Sequence, residues 1–130
     1  MREYPGLFRL SAAALVLVAG VMFSTAVWAQ GDWKAPADAA AKKSPVKGIG
    51  NAKKNVETNC VPCHGASGKG DGPAAAALPT KPADWTSAKV QSESDGALFW
   101  KISNGRGPMP PWNSLPEKDR WEIVNYIRTL

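Results

Sequence analysis

Apolar residues recur at helical spacing in three segments of the chain after residue 48. The segment 50–59 places Ala52 and Val56 on one face, and 95–104 does the same with Leu98, Ile102 and either Phe99 or Trp100. A third segment begins after Ser114, and its apolar positions are Trp121, Ile123, Val124, Ile127 and Leu130. No segment alternates as a half-buried strand would. The pattern therefore predicts an all-α fold with three main helices.

Local signals predict where two of these helices begin and end. Ser94 precedes the helix Asp95–Asn104 as an N-cap, and Gly105 follows it in the position that favours a left-handed residue. The run Ser114-Leu115-Pro116-Glu117 resembles a capping box with proline in the first turn. We therefore expect the last helix to start directly after Ser114.

The first 29 residues have the pattern of a targeting segment. Arg2 and Arg9 precede a stretch without charge from Leu10 to Gly31, and Val27-Trp28-Ala29 is suitable for cleavage before Gln30. We predict a signal peptide over 1–29. The alternative is an uncleaved anchor that tethers the chain to the membrane through 10–29, since about 20 apolar residues span a bilayer.

Composition divides the remainder of the chain. Residues 30–47 are rich in Ala, Lys and Pro, which predicts a flexible linker. Residues 48–130 contain the helical pattern and form one small predicted domain. Both interpretations of 1–29 place this domain on the exported side of the membrane, so we expect a periplasmic protein, soluble or anchored to the inner membrane.

The chemistry of the chain is concentrated in Cys60-Val61-Pro62-Cys63-His64. The sequence has two cysteines and one histidine, and all three lie in this run. Cys-x-x-Cys-His is the attachment signature of c-type haem. Thiols at i and i+3 lie on one side of a helical turn, where both can bond to a porphyrin. The run predicts one covalent haem c, with His64 as an iron ligand.

Two other uses of a Cys-x-x-Cys pair are weaker here. A structural zinc site needs four ligands, usually from two separate pairs, and the chain has no second pair. A thioredoxin-type dithiol belongs to a strand–helix–strand context, which the flanking sequence lacks.

A single histidine restricts the second axial ligand of the iron. Of the three methionines, Met1 and Met22 lie in the targeting segment, which leaves Met109. Met109 stands between Pro108 and Pro110, in a stretch too rich in Gly and Pro for a helix. We predict Met109 as the second ligand, and core packing is the alternative.

Together these motifs resemble those of a mono-haem class I c-type cytochrome of the bacterial type. The matching runs, in order, are Cys60–Gly65, Gly68–Pro73, Ser94–Ile102, Gly107–Pro110 and Trp121–Arg128. The resemblance implies a small cytochrome c fold, with three main helices and loops wrapped around one haem. It also implies that the Gly-rich loop 65–73 wraps the proximal side of the haem. The Pro73 carbonyl is then expected to accept a hydrogen bond from the other ring N–H of His64, the one not used by the iron.

The same resemblance shows one departure. Relatives commonly place a glycine and an aromatic residue where the first helix crosses the last one, and here Ala52 and Val56 occupy those positions. Trp112 closely follows the Met109 loop. Either it shields the Met109 side or bonds a haem propionate, or it only packs in the core.

Charge favours protein partners over nucleic acid. The formal net charge is +5, and Lys42, Lys43, Lys47, Lys53 and Lys54 lie just before the haem motif. This cluster is either a solvated face or a surface that attracts an acidic redox partner. No nucleic-acid-binding motif is present, and export argues against access to nucleic acid.

These features predict an electron carrier rather than an enzyme. The leading hypothesis is one-electron transfer between exported redox proteins by a monomer whose donor and acceptor the sequence does not identify. The second is a haem c subunit or module of a larger oxidoreductase complex. The third, a gas-binding haem sensor, requires that Met109 leave the iron or never bind it.

Overall fold

The computed structural model describes residues 32–130, and its regular structure is helical. Six α-helices follow one another: α1 (Ala37–Ala40), α2 (Ala52–Asn59), α3 (Val61–His64), α4 (Ala88–Gln91), α5 (Asp95–Asn104) and α6 (Glu117–Ile127), with a 3₁₀ turn at Ala75–Ala77. Within residues 32–130 no strand forms, apart from an isolated bridge between Arg106 and Met109. The all-α prediction is confirmed.

The predicted targeting segment, 1–29, lies outside the described residues. No helix within residues 32–130 has the length and apolar character needed to cross a bilayer.

Helix α5 agrees with its prediction at both ends. Ser94 is its N-cap, and the Ser94 hydroxyl oxygen accepts a hydrogen bond from the Ala97 N–H at 3.2 Å. Gly105 ends it with a φ of 62°, which L-residues with a side chain rarely adopt. Leu98 and Ile102 are buried as predicted, while Phe99 and Trp100 are both half-buried. The sequence therefore located this helix and its caps correctly.

The capping box predicted for α6 is wrong. The helix starts at Glu117 with Pro116 as its N-cap, and no side chain caps it. A residue before proline is disfavoured in the helical region, so Leu115 does not join the helix and Ser114 lies too far from the first turn. The Glu117 carboxylate instead accepts a bond from the Trp121 indole N–H at 3.3 Å.

The core forms where α2 and α5 each pack against α6. Ala52 and Val56 of α2 are buried as predicted, and Val124 of α6 is completely covered. The other predicted inner positions of α6 are buried too, namely Trp121, Ile123 and Ile127. Leu130 is the exception, because it lies beyond the end of the helix and is 41% exposed.

A buried carboxylate fastens the start of α2 to α6. Glu122 is 2% exposed, and its carboxylate accepts a hydrogen bond from the Asn51 backbone N–H at 2.8 Å. Lys118 pairs with the same carboxylate from one turn earlier. The Asn51 side chain does not cap α2. The Glu122 carboxylate, 71 residues further along the chain, instead places a negative charge at the N-terminus of this helix.

The segment 32–47, predicted to be part of a flexible linker, instead packs on the helical domain. Ala39 of α1 is buried against α5, and the Ser94 hydroxyl donates to the Ala40 carbonyl at 2.7 Å. The Asn125 side-chain amide donates to the Val46 carbonyl at 3.1 Å. The prediction relied on composition, and composition does not show that backbone carbonyls can dock on neighbouring helices.

Glu122→Gln is expected to lower the free energy of unfolding by on the order of 1 kcal/mol near neutral pH, because it weakens hydrogen bonds to a charged group. The ion pair with Lys118 and then the bond from Asn51 hold the pKa of Glu122 below its ordinary value of 4.5. A carboxyl group whose pKa is lower in the folded state than in the unfolded chain stabilises the fold at pH values above that ordinary pKa. The difference between wild type and variant should therefore shrink as the pH falls below 4.5.

Denaturant unfolding of the haem-loaded protein at several pH values measures this difference. Glu57→Gln, an exposed position on α2, is the matched control and should unfold like the wild type. A difference between wild type and Glu122→Gln that stays constant from neutral to acidic pH would contradict the assigned role of Glu122.

Gly96→Ala is expected to destabilise the protein and to release the segment 32–47. In an ordinary helix this change stabilises by about 0.5–1 kcal/mol. Here a Cβ would collide with the Ala39 carbonyl oxygen and lie 2.7 Å from that of Lys42. Thermal unfolding should show a lower midpoint, and limited proteolysis should show faster cleavage within 32–47. A higher midpoint with unchanged cleavage would show that the segment does not pack against α5.

Candidate haem site

The Cys60–His64 turn is a short helix that follows directly on α2. The Cys60 carbonyl accepts hydrogen bonds from the N–H groups of Cys63 at 3.1 Å and His64 at 2.8 Å. Pro62 lies in the first turn of α3, where its missing N–H costs no helical hydrogen bond. This turn places Cys60 and Cys63 one helical turn apart, as the sequence predicted. The two thiols are free and half-buried.

The raised pKa of the Cys60 thiol argues against a redox-active dithiol. Burial, and then the neighbouring Cys63, raise the pKa of the Cys60 thiol to about 11. Catalytic Cys-x-x-Cys pairs depend instead on a thiol whose pKa is lowered. Within residues 32–130, no three His, Cys, Asp or Glu side chains converge as they would around a metal ion such as zinc.

One ring nitrogen of His64 is fixed by the backbone. Nδ1 lies 3.0 Å from the Ala83 carbonyl oxygen, and because a carbonyl only accepts, Nδ1–H is the donor. This leaves a lone pair on Nε2, which is the form that binds a metal. Burial lowers the pKa of His64, although the bond to Ala83 opposes that effect. The imidazole is therefore neutral at neutral pH.

The partner of His64 differs from the prediction, which assigned the Pro73 carbonyl. The structure places the Ala83 carbonyl there because the segment 82–85 runs along the Gly-rich loop. The Trp85 N–H donates to the Gly68 carbonyl at 2.7 Å, and a Cβ at Gly70 would collide with the Pro82 carbonyl oxygen. The nominated Pro73 is exposed.

The Gly-rich loop, which the sequence predicted on the proximal side of the haem, closes on the Cys60–His64 turn. Gly70 N–H donates to the His64 carbonyl at 2.8 Å, and Gly72 N–H donates to the Cys63 carbonyl at 3.1 Å. A Cβ at Gly72 would collide with the carbonyl oxygens of Val61 and Pro62. Glycine at this position therefore allows the loop to close directly on the backbone of the turn.

Sequence reasoning missed the contact between Trp85 and His64. The two rings stack with centroids 4.4 Å apart and planes inclined by 23°. Trp85 is 7% exposed, so the contact is interior. The sequence shows only that Trp85 lies in a Pro-rich segment between helices, and this does not indicate which side chain its ring contacts.

Met109 lies in a tight backbone turn that follows α5. Arg106 N–H donates to the Met109 carbonyl at 2.9 Å, and Met109 N–H donates to the Arg106 carbonyl at 3.1 Å. Gly107, between them, has a φ of 56°. At Gly105 a Cβ would collide with backbone atoms of Met109, Pro110 and Pro111, so this glycine allows the chain to cross the end of α5.

Met109 and Trp112 are half-buried and pack against the main core. Trp112 N–H donates to the Ile102 carbonyl at 3.0 Å, which ties the loop back to α5. Both residues lie in the loop that follows α5, and their predicted roles at a haem stay predictions. Other half-buried apolar residues pack on the same core, namely Val46, Cys60, Val61, Phe99, Leu115 and Tyr126.

The donor set fits a covalently bound haem. Two thiols one helical turn apart suit attachment to the porphyrin, and a neutral imidazole with Nε2 unprotonated suits the iron. Met109, Phe99 and Trp112 are half-buried and pack on the same core as Cys60, and a flat apolar group requires apolar side chains of this kind. The residues of this chain therefore match the group that its sequence motif implies.

Two solved structures similar to this chain are a chain of a reducing HAO-like protein complex and a c-type cytochrome. One is the Kuenenia stuttgartiensis reducing HAO-like protein complex Kustc0457/Kustc0458, with a TM-score of 0.58 and 24% identity over 68% of this chain. This chain spans only 44% of that one. Another is the KustC0563 c-type cytochrome, with a TM-score of 0.52 and 22% identity over 60% of this chain and 94% of the other. At such identity the likeness establishes the fold, that of a small c-type cytochrome.

No curated protein matches the sequence. The model of one protein family, described as cytochrome c oxidase, cbb3-type, subunit III, matches residues 49–127 and hence more than half of the chain. A covalently bound haem c with its iron follows from this match, as does a role as an electron carrier rather than an enzyme. The chain thus belongs to the cbb3-type cytochrome c oxidase subunit III family, a family of haem c electron-transfer domains.

Proposed function

We propose that the protein is an exported one-electron carrier whose haem is attached through Cys60 and Cys63, with His64 and Met109 as the axial ligands. The haem, when bound, supplies an iron that alternates between ferrous and ferric. The hydrogen bond from His64 Nδ1–H to the Ala83 carbonyl is the observation that carries the proposal. It leaves Nε2 for the iron and fixes the direction in which that nitrogen points.

Met109 is assigned as the second ligand by composition and by its place in the loop. The chain has one histidine, so a bis-histidine site within it is excluded, and Met109 is the only methionine after residue 29. Two backbone hydrogen bonds with Arg106 hold its main chain. Met/His ligation raises the reduction potential of a haem.

Two ligands held by the fold favour electron transfer over gas binding. Little atomic movement accompanies a change of iron charge when both ligands are fixed by the backbone. Two protein ligands also leave no coordination site for a small gas molecule. A gas-binding sensor would need the Met109 thioether to leave the iron, and the paired hydrogen bonds with Arg106 oppose movement of the Met109 main chain.

A freely diffusing carrier is the first choice, and a complex subunit is the second. The exposed lysines on and before α2 favour transient docking to an acidic redox partner, namely Lys42, Lys43, Lys47, Lys53 and Lys54. The similarity to a chain of a reducing HAO-like complex favours the subunit. We place the protein in the periplasm, because the predicted targeting segment and a haem c both indicate export.

Met109→Ala is expected to abolish the sulfur-to-iron charge-transfer band of the oxidised holoprotein. It should also lower the reduction potential and allow the reduced form to bind carbon monoxide, because one coordination site becomes open. Optical spectra with and without carbon monoxide, together with a redox titration, check these outcomes. Trp112→Phe, in the same loop, is the control and should keep the band. A band that persists in Met109→Ala would exclude Met109 as a ligand.

Affinity purification of the full chain from its native membrane and periplasmic fractions separates carrier from subunit. A carrier that docks through surface lysines should retain partners at low salt and lose them at about 1 M salt, where the screening length is about 3 Å. Partners that stay bound in fixed proportion at high salt would establish the subunit instead. Replacing Lys53 and Lys54 with Gln should reduce the low-salt capture if docking uses this surface.

A further inference from the structure

The His64 imidazole is restrained by two contacts of different kinds. Its Nδ1–H donates to the Ala83 carbonyl at 3.0 Å, and one face of the ring stacks on Trp85 at a centroid distance of 4.4 Å. The hydrogen bond acts at the edge of the ring and fixes the direction in which Nε2 points. The stack acts on the face and opposes rotation of the ring about its bond to Cβ, a torsion that is otherwise broad for histidine.

The Trp85 indole is itself held firmly. It is 7% exposed, and a Cβ at Gly68 would lie 2.8 Å from its Cε3 atom, so the ring lies directly against the glycine backbone. The backbone N–H of Trp85 donates to the Gly68 carbonyl at 2.7 Å. The Gln91 side-chain amide donates to both the Trp85 carbonyl at 2.7 Å and the Ile127 carbonyl at 2.9 Å. The position of the indole is therefore set by the Gly-rich loop and by α6.

The short segment Ala83–Trp85 supplies both restraints on the imidazole. Asp84, between them, accepts hydrogen bonds from the backbone N–H of Thr86 at 2.8 Å and from its hydroxyl at 2.7 Å. The Ser87 hydroxyl donates to the Asp84 carbonyl at 2.6 Å. These bonds keep the carbonyl and the indole in a fixed relation to each other, so the two contacts act on the ring as one unit.

We propose that Trp85 is a positioning residue that sets the plane of the His64 imidazole, and thereby the orientation of this ligand on the haem iron. The proposal rests on the proposed function, because it takes His64 as an iron ligand. The plane of an axial imidazole determines how the unpaired electron of the ferric form is distributed over the porphyrin. Trp85 acts on the iron only through His64.

The test compares ferric holoprotein variants by proton NMR of the haem methyl groups, whose shifts follow the ligand plane. Trp85→Leu removes the stacked face, and Trp85→Met keeps a long apolar side chain without a ring in case the leucine variant does not mature. Trp85→Phe keeps an aromatic face. Trp121→Leu is the matched control, since Trp121 is also buried and stacked, but on Phe99 with centroids 3.9 Å apart.

We expect Trp85→Leu or Trp85→Met to shift the pattern of haem methyl resonances and to keep the sulfur-to-iron band. Trp85→Phe should keep the wild-type pattern of haem methyl resonances. Trp121→Leu should keep that pattern too, but it should lower the unfolding midpoint. A wild-type pattern in Trp85→Leu or Trp85→Met would overturn the inference and leave Trp85 with a packing role. Absence of the sulfur-to-iron band from the wild type would instead contradict Met109 ligation, which separates the two failures.

Discussion

The packing of α2 against α6 is the constraint on which the haem-binding part of the molecule depends. Helix α2 has eight residues, and isolated helices shorter than about 12–15 residues are marginal in water. The Cys60–His64 turn follows α2 directly, so its position depends on a helix that cannot form alone. Ala52 and Val56 bury the inner face of α2, and the Glu122 carboxylate binds its N-terminus.

Helix α6 connects this packing to the other side of the site. The same helix packs against α5, and α5 leads through Gly105 into the loop that contains Met109. The last turn of α6 is also linked to the segment that contacts His64. The Gln91 side-chain amide donates to the Ile127 carbonyl of α6 and to the carbonyl of Trp85. Unfolding of α6 as a whole would therefore disturb both candidate ligands together. The helix is central to the site although the proposed haem contacts lie on other elements.

What the sequence predicted well was local. The bounds and caps of α5 follow from residues adjacent to the helix, and the Cys-x-x-Cys-His run carries its chemistry within five positions. The failures involve backbone groups and distant partners. Nothing in the residue type of Ala83 indicates that its carbonyl will meet His64 from 19 positions away. The nomination of Pro73 came from resemblance, and it failed because the segment 82–85 lies alongside the Gly-rich loop here.

Both candidate ligands are supported by backbone groups. His64 is held at one edge by a backbone carbonyl, and Met109 by two backbone hydrogen bonds with Arg106. Backbone supports of this kind depend on the glycines that let the loops close, such as Gly70 and Gly105, and not on the side chain of the residue that provides the carbonyl. They also oppose movement of the imidazole of His64 and of the main chain of Met109, the two proposed ligands, because such movement would break bonds in a packed loop. A site built in this way favours repeated electron transfer over chemistry that needs an open iron.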